Sequence, residues 1–321
     1  MKKIMLVLGL AVSTSFMAAA QTTEAEGNLK SASKDTTDGW KKGGVISLNF
    51  SQVSLTNWAA GGQNTVSVNG LFSVFANYKK GDLTWENSLD VGYGVLKQGR
   101  KEANWLKTDD KFDLVSKLGK KATGNLYYAG LLNFKTQMAN GYNLPNDSVA
   151  ISGLMAPAYL LGAVGMDYKP NDNFSAFVAP LTLKSTFVLD QTLADAGAFG
   201  VEAAERNELG EVLTAGKQYR AELGGYVKFQ YKTEVMTNVN LLTKLDLFSN
   251  YLNNPQNIDV SWEVLVSMKI NKYLSANLTT HLLYDDDIDI AVDNNNDGIV
   301  DEVGPRVQFK EVFGAGLSYK F

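Results

Sequence analysis

The sequence predicts an all-β chain, a single antiparallel up-and-down barrel of about twelve strands that crosses a membrane. Three observations predict it. Apolar and polar residues alternate with period two along most of the chain. After residue 20 no segment approaches the roughly 18 consecutive apolar residues of a spanning helix. Short turns alternate with long polar loops. A barrel reconciles the first two, because only alternate residues touch lipid and a closed sheet satisfies its own backbone groups.

The C-terminal stretch shows the alternation well. Val307, Phe309, Phe313, Leu317, Tyr319 and Phe321 fall on one face, against Gln308, Lys310, Gly314, Gly316, Ser318 and Lys320. A final strand ending on an aromatic residue resembles the signal that the bacterial barrel-assembly machinery reads. This makes that machinery an expected partner, through Phe321, and outer-membrane lipid another. At the other end, Lys2 and Lys3 precede an apolar core from Ile4 to Met17, and Ala18-Ala19-Ala20 suits cleavage before Gln21. Residues 1–20 are therefore expected to be a signal peptide. Residues 21–39 are expected to be a polar, disordered periplasmic segment, and 40–321 the barrel.

Composition narrows the function classes. The formal charge of −4 becomes −6 once Lys2 and Lys3 are removed, which argues against nucleic acid as a partner. There is no cysteine, so disulfides, thiolate catalysis and thiolate metal sites are excluded together.

Twelve alternating segments follow, at 44–53, 64–78, 83–97, 106–119, 124–138, 154–169, 173–188, 217–231, 235–247, 258–270, 273–284 and 306–321. In the third, Leu83, Trp85, Leu89, Val91, Tyr93 and Val95 oppose Thr84, Glu86, Ser88, Asp90, Gly92 and Gly94. The connections after the even-numbered segments are short: Lys79 to Asp82, Lys120 to Thr123, Pro170 to Asp172, Lys232 to Glu234 and Asn271-Lys272. Those after odd-numbered segments reach the length of Asp190 to Gly216 and Asp285 to Pro305. Short periplasmic turns and long external loops are the outer-membrane pattern, and an even strand count puts both termini in the periplasm. Trp85, Tyr78, Tyr168, Tyr231, Tyr319 and Phe321 near one set of strand ends, and Tyr93, Trp105 and Tyr284 towards the other, fit interfacial girdles.

Three stretches carry a family resemblance: Ser51-Gln52-Val53-Ser54-Leu55-Thr56-Asn57-Trp58-Ala59-Ala60-Gly61-Gly62, then Phe75-Ala76-Asn77-Tyr78-Lys79-Lys80-Gly81, and the run from Gly304 to Gly314. They resemble the outer-membrane β-barrel family named domain of unknown function 3078, with likeness from about Gly39 to Phe321. The resemblance implies an outer-membrane location and no activity. The Trp58 stretch reads as the first external loop, either a structural lid or a ligand contact.

Four features could carry chemistry. His281, the sole histidine, lies on the polar face with Ser275, Asn277 and Thr279. Its own strand offers no serine beside it, so a lumenal polar network is expected rather than a hydrolytic triad. The polar faces also carry mixed charge. Lys107, Lys111, Lys117, Lys135, Lys184, Arg220, Lys228, Lys244, Lys269, Arg306 and Lys310 stand against Glu86, Asp90, Asp109, Asp113, Asp167, Glu222, Asp246, Asp259 and Glu263. Twelve strands lie between filled eight-stranded barrels and open sixteen-stranded porins. These charges either cross-link and close the lumen or line a narrow water-filled passage.

The run Asp293-Asn294-Asn295-Asn296-Asp297-Gly298-Ile299-Val300-Asp301-Glu302 matches the first half of a calcium loop. Its ligands would be Asp293, Asn295, Asp297, the Ile299 carbonyl and Asp301. Position twelve is Gly304, so the loop is not an intact EF-hand, and a solvated acidic loop is the alternative. Asp285, Asp286, Asp287 and Asp289 add carboxylates nearby. Finally, Val201, Ala204, Glu205, Glu208 and Leu209 are spaced for a short amphipathic helix, either a lid over the mouth or a partner surface.

The expected function is that of a narrow, porin-like pore or binding barrel for small polar solutes, without enzymatic activity. A closed accessory barrel of a larger envelope assembly is the alternative.

Overall fold

A computed structural model describes residues 38–55, 63–99, 104–142, 148–171, 173–271, 274–292 and 301–320. The expected signal peptide, nearly all of the 21–39 segment, Trp58, Phe321 and four of the five calcium candidates lie outside these residues.

Twelve antiparallel strands form one closed barrel in sequence order. They are β1 (Gly39–Val53), β2 (Thr65–Lys80), β3 (Leu83–Gln98), β4 (Leu106–Thr123), β5 (Leu126–Thr136), β6 (Ala158–Asn171), β7 (Phe174–Phe187), β8 (Tyr219–Met236), β9 (Val239–Asn250), β10 (Asp259–Lys269), β11 (Leu274–Tyr284) and β12 (Gln308–Lys320). Each of the twelve alternating segments corresponds to one strand. Every strand pairs with its sequence neighbour, and β1 meets β12 to close the ring.

The outer wall is apolar. Ile46, Leu48, Phe50, Phe72, Leu118, Leu132, Val164, Leu181 and Leu183 are all exposed, at alternate positions along their strands. A belt of aliphatic and aromatic side chains this extensive belongs in hydrocarbon rather than water. Towards the turn end, Trp40 packs 5.2 Å from Tyr78 and 5.7 Å from Trp85, ring centre to ring centre, across β1–β3. That cluster is the expected girdle.

Turn positions differ from the sequence reading in places. Lys232, Thr233 and Glu234 are not a turn: β8 continues to Met236, and the reversal falls where Asn238 adopts φ 64°. Asparagine tolerates that conformation, whereas the β-branched Thr233 is suited to a strand. Likewise β4 extends to Thr123, because the positive φ of the turn is taken by Gly124.

One irregularity shapes the interior. Pro180 has no N–H to donate, and the ladders of β7 shift register beside it on both flanks. On β6, Gly165 faces this bulge so closely that a Cβ would strike the backbone of Val178 and Ala179. Glycine is required there.

The lumen is packed at mid-height. Ala129, Leu131, Ala163, Phe177, Ala179, Tyr226 and Phe248 form a buried cluster inside β5–β9, with Val115 and Leu161 against it. On β2, Asn69, Leu71 and Ser73 are also buried. The sequence reading gave the apolar residues to lipid. Several instead point inwards, and the signal was available in apolar doublets such as Leu131-Leu132, Phe177-Val178 and Leu247-Phe248, where strict alternation breaks.

Candidate functional site: the charged lumen and its loop-end mouth

Many of the lumenal charges gather in three groups. Towards the turn end, four side chains from β3, β4 and β6 close a ring. Lys117 Nζ lies 2.7 Å from Asp167 and 3.1 Å from Glu86, and Lys169 Nζ lies 2.7 Å from Glu86 and 3.2 Å from Asp167. Two cations meet two anions, all of them on strands. Strand alternation puts each on the inner face, and the antiparallel register brings them level.

At mid-height, Asp246 of β9 accepts from Tyr226 Oη at 2.9 Å and pairs with Lys228 at 3.1 Å. Asn133 donates to Asp113 at 2.6 Å.

The third group lies at the loop end. Lys184 Nζ, on β7, reaches Asp259 of β10 at 2.8 Å, Asp285 at 3.3 Å and Glu222 of β8 at 3.4 Å. Its ammonium also lies 5.1 Å from the centre of the Phe248 ring. Arg220 pairs with Glu222 at 2.9 Å and with Asp287, and donates to the Gly200 carbonyl at 3.0 Å. Asp286 in turn accepts from Asn257 and, at 3.2 Å, from Tyr284 Oη. The segment after β11 thus bends across the mouth and is fastened to β7 and β8. Asp285 and Asp287, two of the carboxylates near the calcium candidates, pair with Lys184 and Arg220, 101 and 67 residues away in the chain.

A loop core backs this lock. Ala156, Val188, Leu193, Ala194 and Val201 are buried together, with Ala198 and Phe199 against them. The expected helix around Val201–Leu209 is absent among the described residues. Instead, helix α1 (Gln191–Asp195) lies upstream, with Asp190 as N-cap accepting from Thr192 and Leu193 N–H, and Gly197 at φ 71° beyond its end. Glu205–Arg206 and Val212–Thr214 then form a small hairpin, because the Asn207 side chain accepts from Leu209 and Glu211 N–H and organises a turn. Asp195 clamps this loop, accepting from Gln191 at 2.6 Å and from Gly216 N–H at 2.7 Å. Those hydrogen bonds hold its carboxyl below the usual carboxylate range.

His281 does have a serine beside it, contributed by the neighbouring strand. Ser261 Oγ lies 3.0 Å from His281 Nε2. Glu263 approaches the same nitrogen at 4.0 Å and also pairs with Lys244 at 3.6 Å. A hydrolytic triad needs its carboxylate on Nδ1, so Glu263 does not supply the third member. Ser261 and Glu263, on the neighbouring strand, thus join His281 and Lys244 in a polar network that the pattern along one strand does not reveal.

Among the described residues no cluster of carboxylates and histidines is arranged to hold a metal. Of the calcium candidates only Asp301 is described, and it is exposed.

Residues 50–142 match the model of a protein family of unknown function, DUF3078. The matched span includes two of the three stretches that carry the resemblance, and the Gly304–Gly314 run lies beyond it. No curated protein matches the chain. Among solved structures, the COG4313 outer membrane channel from Pseudomonas putida F1 is similar, with 10% identity, 89% of this chain and 97% of that one covered, and a TM-score of 0.39. The translocator domain of the autotransporter NalP from Neisseria meningitidis is similar at 11% identity, 94% and 98% coverage and a TM-score of 0.33. The beta domain of the Bordetella autotransporter BrkA gives 10%, 88% and 99%, and 0.31. Likenesses this distant say nothing about function.

Proposed function

We propose that this chain is an outer-membrane barrel that passes small polar solutes through a narrow lumen gated at the loop end. One observation carries the reading. At the loop end of the lumen, ion pairs tie a loop, at Asp285 and Asp287, to wall residues Lys184 and Arg220. Wall-to-wall pairs are permanent parts of a sheet, whereas a loop held by a few charges can leave, and releasing it uncovers a polar, mixed-charge interior. In this reading the leader is removed at Gln21, the short turns and both termini face the periplasm, the long loops face outwards, and assembly proceeds through the strand ending at Phe321. A role for calcium at 293–301, as an ordering ion for the outer loop, belongs to the same proposal.

A second reading, a closed accessory barrel of an envelope assembly, is favoured by the buried mid-height cluster. Planar-bilayer recording of the purified full-length protein separates the two. Discrete openings of small conductance support the gated pore. Flat traces, in the native protein and after deletion of 193–213, support the closed barrel.

A further inference from the structure

The lysines of the turn end are divided unequally between the two faces of the wall. On β6, β8 and β10, Lys169, Lys232 and Lys269 alternate with the exposed Tyr168, Tyr231 and Ile270, which puts them on the inner face. On β1, β2 and β4 three lysines instead fall on the lipid-facing side. Lys42 keeps step with Trp40 and Ile46, Lys80 with Phe72, and Lys120 with Leu114 and Leu118. All three are exposed. General snorkelling at an interface would spread such residues round the barrel, whereas these gather in one sector.

The register sets these residues in level rows. Nearest the turns, Lys80 of β2, Leu83 of β3 and Lys120 of β4 stand side by side, the two lysines about 10 Å apart across two strand spacings. The next row is Trp40, Tyr78, Trp85 and Leu118, and the third is Lys42, Ala76, Asn87 and Ser116. Trp85 Nε1–H donates to Ser116 Oγ at 2.9 Å, Ser116 to Asn87 Oδ1 at 2.8 Å, and Asn87 Nδ2 to the Ala76 carbonyl at 3.0 Å. Outward amide and hydroxyl groups belong to the bilayer's interface, and only the fourth row, Gly44, Val74, Leu89 and Leu114, is wholly apolar. Lys42 Nζ lies 5.9 Å from the centre of the Trp40 ring, so its ammonium is turned back towards the turn end. The aromatic row is thus framed by ammonium groups on both sides. Lys80 and Lys120 have no ion pair among the described residues. The carboxylates of this corner, Asp38 and Asp82, pair with neither, and Asp38 accepts from Gly81 N–H at 3.1 Å.

We propose that the β1–β4 sector is a docking face for an anionic phospholipid of the leaflet at the turn end. The lipid phosphate sits among the ammonium groups of Lys42, Lys80 and Lys120. The acyl chains run past Trp40 and Trp85 onto Val74 and Leu89, so the face is continuous with the lipid belt of the wall. A phosphodiester carries a full negative charge and only accepts hydrogen bonds, which matches three cations that only donate. A zwitterionic headgroup brings its own cation and gains less. The proposal rests on the barrel's place in a bilayer and not on the gate.

The test uses the full-length protein in a neutral detergent and reads binding of dioctanoyl-phosphatidylglycerol and dioctanoyl-phosphatidylcholine by native mass spectrometry. The anionic lipid binds at least about tenfold more tightly. In the Lys42→Gln/Lys80→Gln/Lys120→Gln protein, shown to be folded by its heat-shifted gel mobility, the two lipids bind alike. The Lys232→Gln/Lys269→Gln protein, altered at the same end but on the inner face, keeps the preference. In the native protein the anionic lipid, well above its Kd, slows acetylation of Lys42, Lys80 and Lys120 at least about threefold and leaves Lys269 unchanged. Equal binding of the two lipids to the native protein, a preference that survives the triple substitution, or equal protection of Lys269 overturns the site. Displacement by inorganic phosphate at equal concentration would mean a free-phosphate site and also overturns it. Protection of the three lysines by poly-glutamate but not by lipid would assign the face to an acidic protein instead. Conductance is not read, so failure here leaves the gated-pore reading standing.

Discussion

The two ion-pair clusters at opposite ends of the lumen are built from the same residue types and do different work. The turn-end ring balances Lys117 and Lys169 against Glu86 and Asp167, every member fixed on a strand. The loop-end lock sets Lys184 and Arg220 against Glu222, Asp259, Asp285 and Asp287, so two cations face four carboxylates, two of them on a loop. A balanced ring inside a sheet behaves as structure. A lock with excess negative charge, part of it on a segment outside the sheet, is held less firmly and can release. In the proposed gated reading, the position of a charge in the topology, more than its partner's distance, separates scaffold from gate.

Breaking the ring tests the first half of that contrast and carries the largest expected effect on stability. Lys117→Met leaves the buried Asp167 with only Lys169, and costs about 2–3 kcal/mol of barrel stability, since removing one partner strands a buried charge. Denaturant unfolding in micelles measures it, and conductance stays near the native value. A loss below about 0.5 kcal/mol would mean that the ring is well hydrated and holds little together.

Breaking the lock should give the opposite signature. Asp287→Asn weakens a partly exposed pair to Arg220 and costs no more than about 1 kcal/mol. Yet it raises conductance and exposes the segment after β11 to protease. If Asp287→Asn destabilises the barrel as much as Lys117→Met does and leaves conductance unchanged, the distinction between the clusters fails.

Acid should sharpen the contrast by a smaller step. A carboxyl whose value is lowered on folding stabilises the fold fully above its ordinary value, and that contribution is lost as pH falls through the lowered one. For Asp195 the window therefore lies below about pH 4. There the hydrogen bonds from Gln191 and Gly216 weaken, the loop core loosens, and openings lengthen. Asp195→Asn should remove the part of the acid effect that arises in this loop, as seen by comparing open times at pH 7 and pH 3.5.

Much of the barrel was legible from sequence because its determinants are local. Period-two alternation and turn residues lie within a few positions of each other, and all twelve segments became strands. The misplaced turn at Lys232–Glu234 shows the limit: alternation runs through it, and only the φ that Asn238 can adopt fixes the reversal. The charges were legible as an inner face but not as pairs. Lys184 and Asp285 lie 101 residues apart, and Arg220 and Asp287 67 apart. Which charges meet depends on the register across several strands and on how a loop folds back, and neither is written in the local pattern. For the same reason Ser261 escaped notice beside His281, since it lies on the next strand. The cations of Asp285 and Asp287 lie on β7 and β8, so the local sequence shows the carboxylates without them.

The gate itself is tested most directly by thiol access to Ser261, two residues inside the loop end of β10. Cysteine replaces serine there with little change in shape, and no native thiol competes. With the lock intact, S261C should react slowly with a small impermeant methanethiosulfonate added from the loop side. With Asp287→Asn also present, it should react at least tenfold faster. Equal rates in the two proteins would contradict a gate at the loop end.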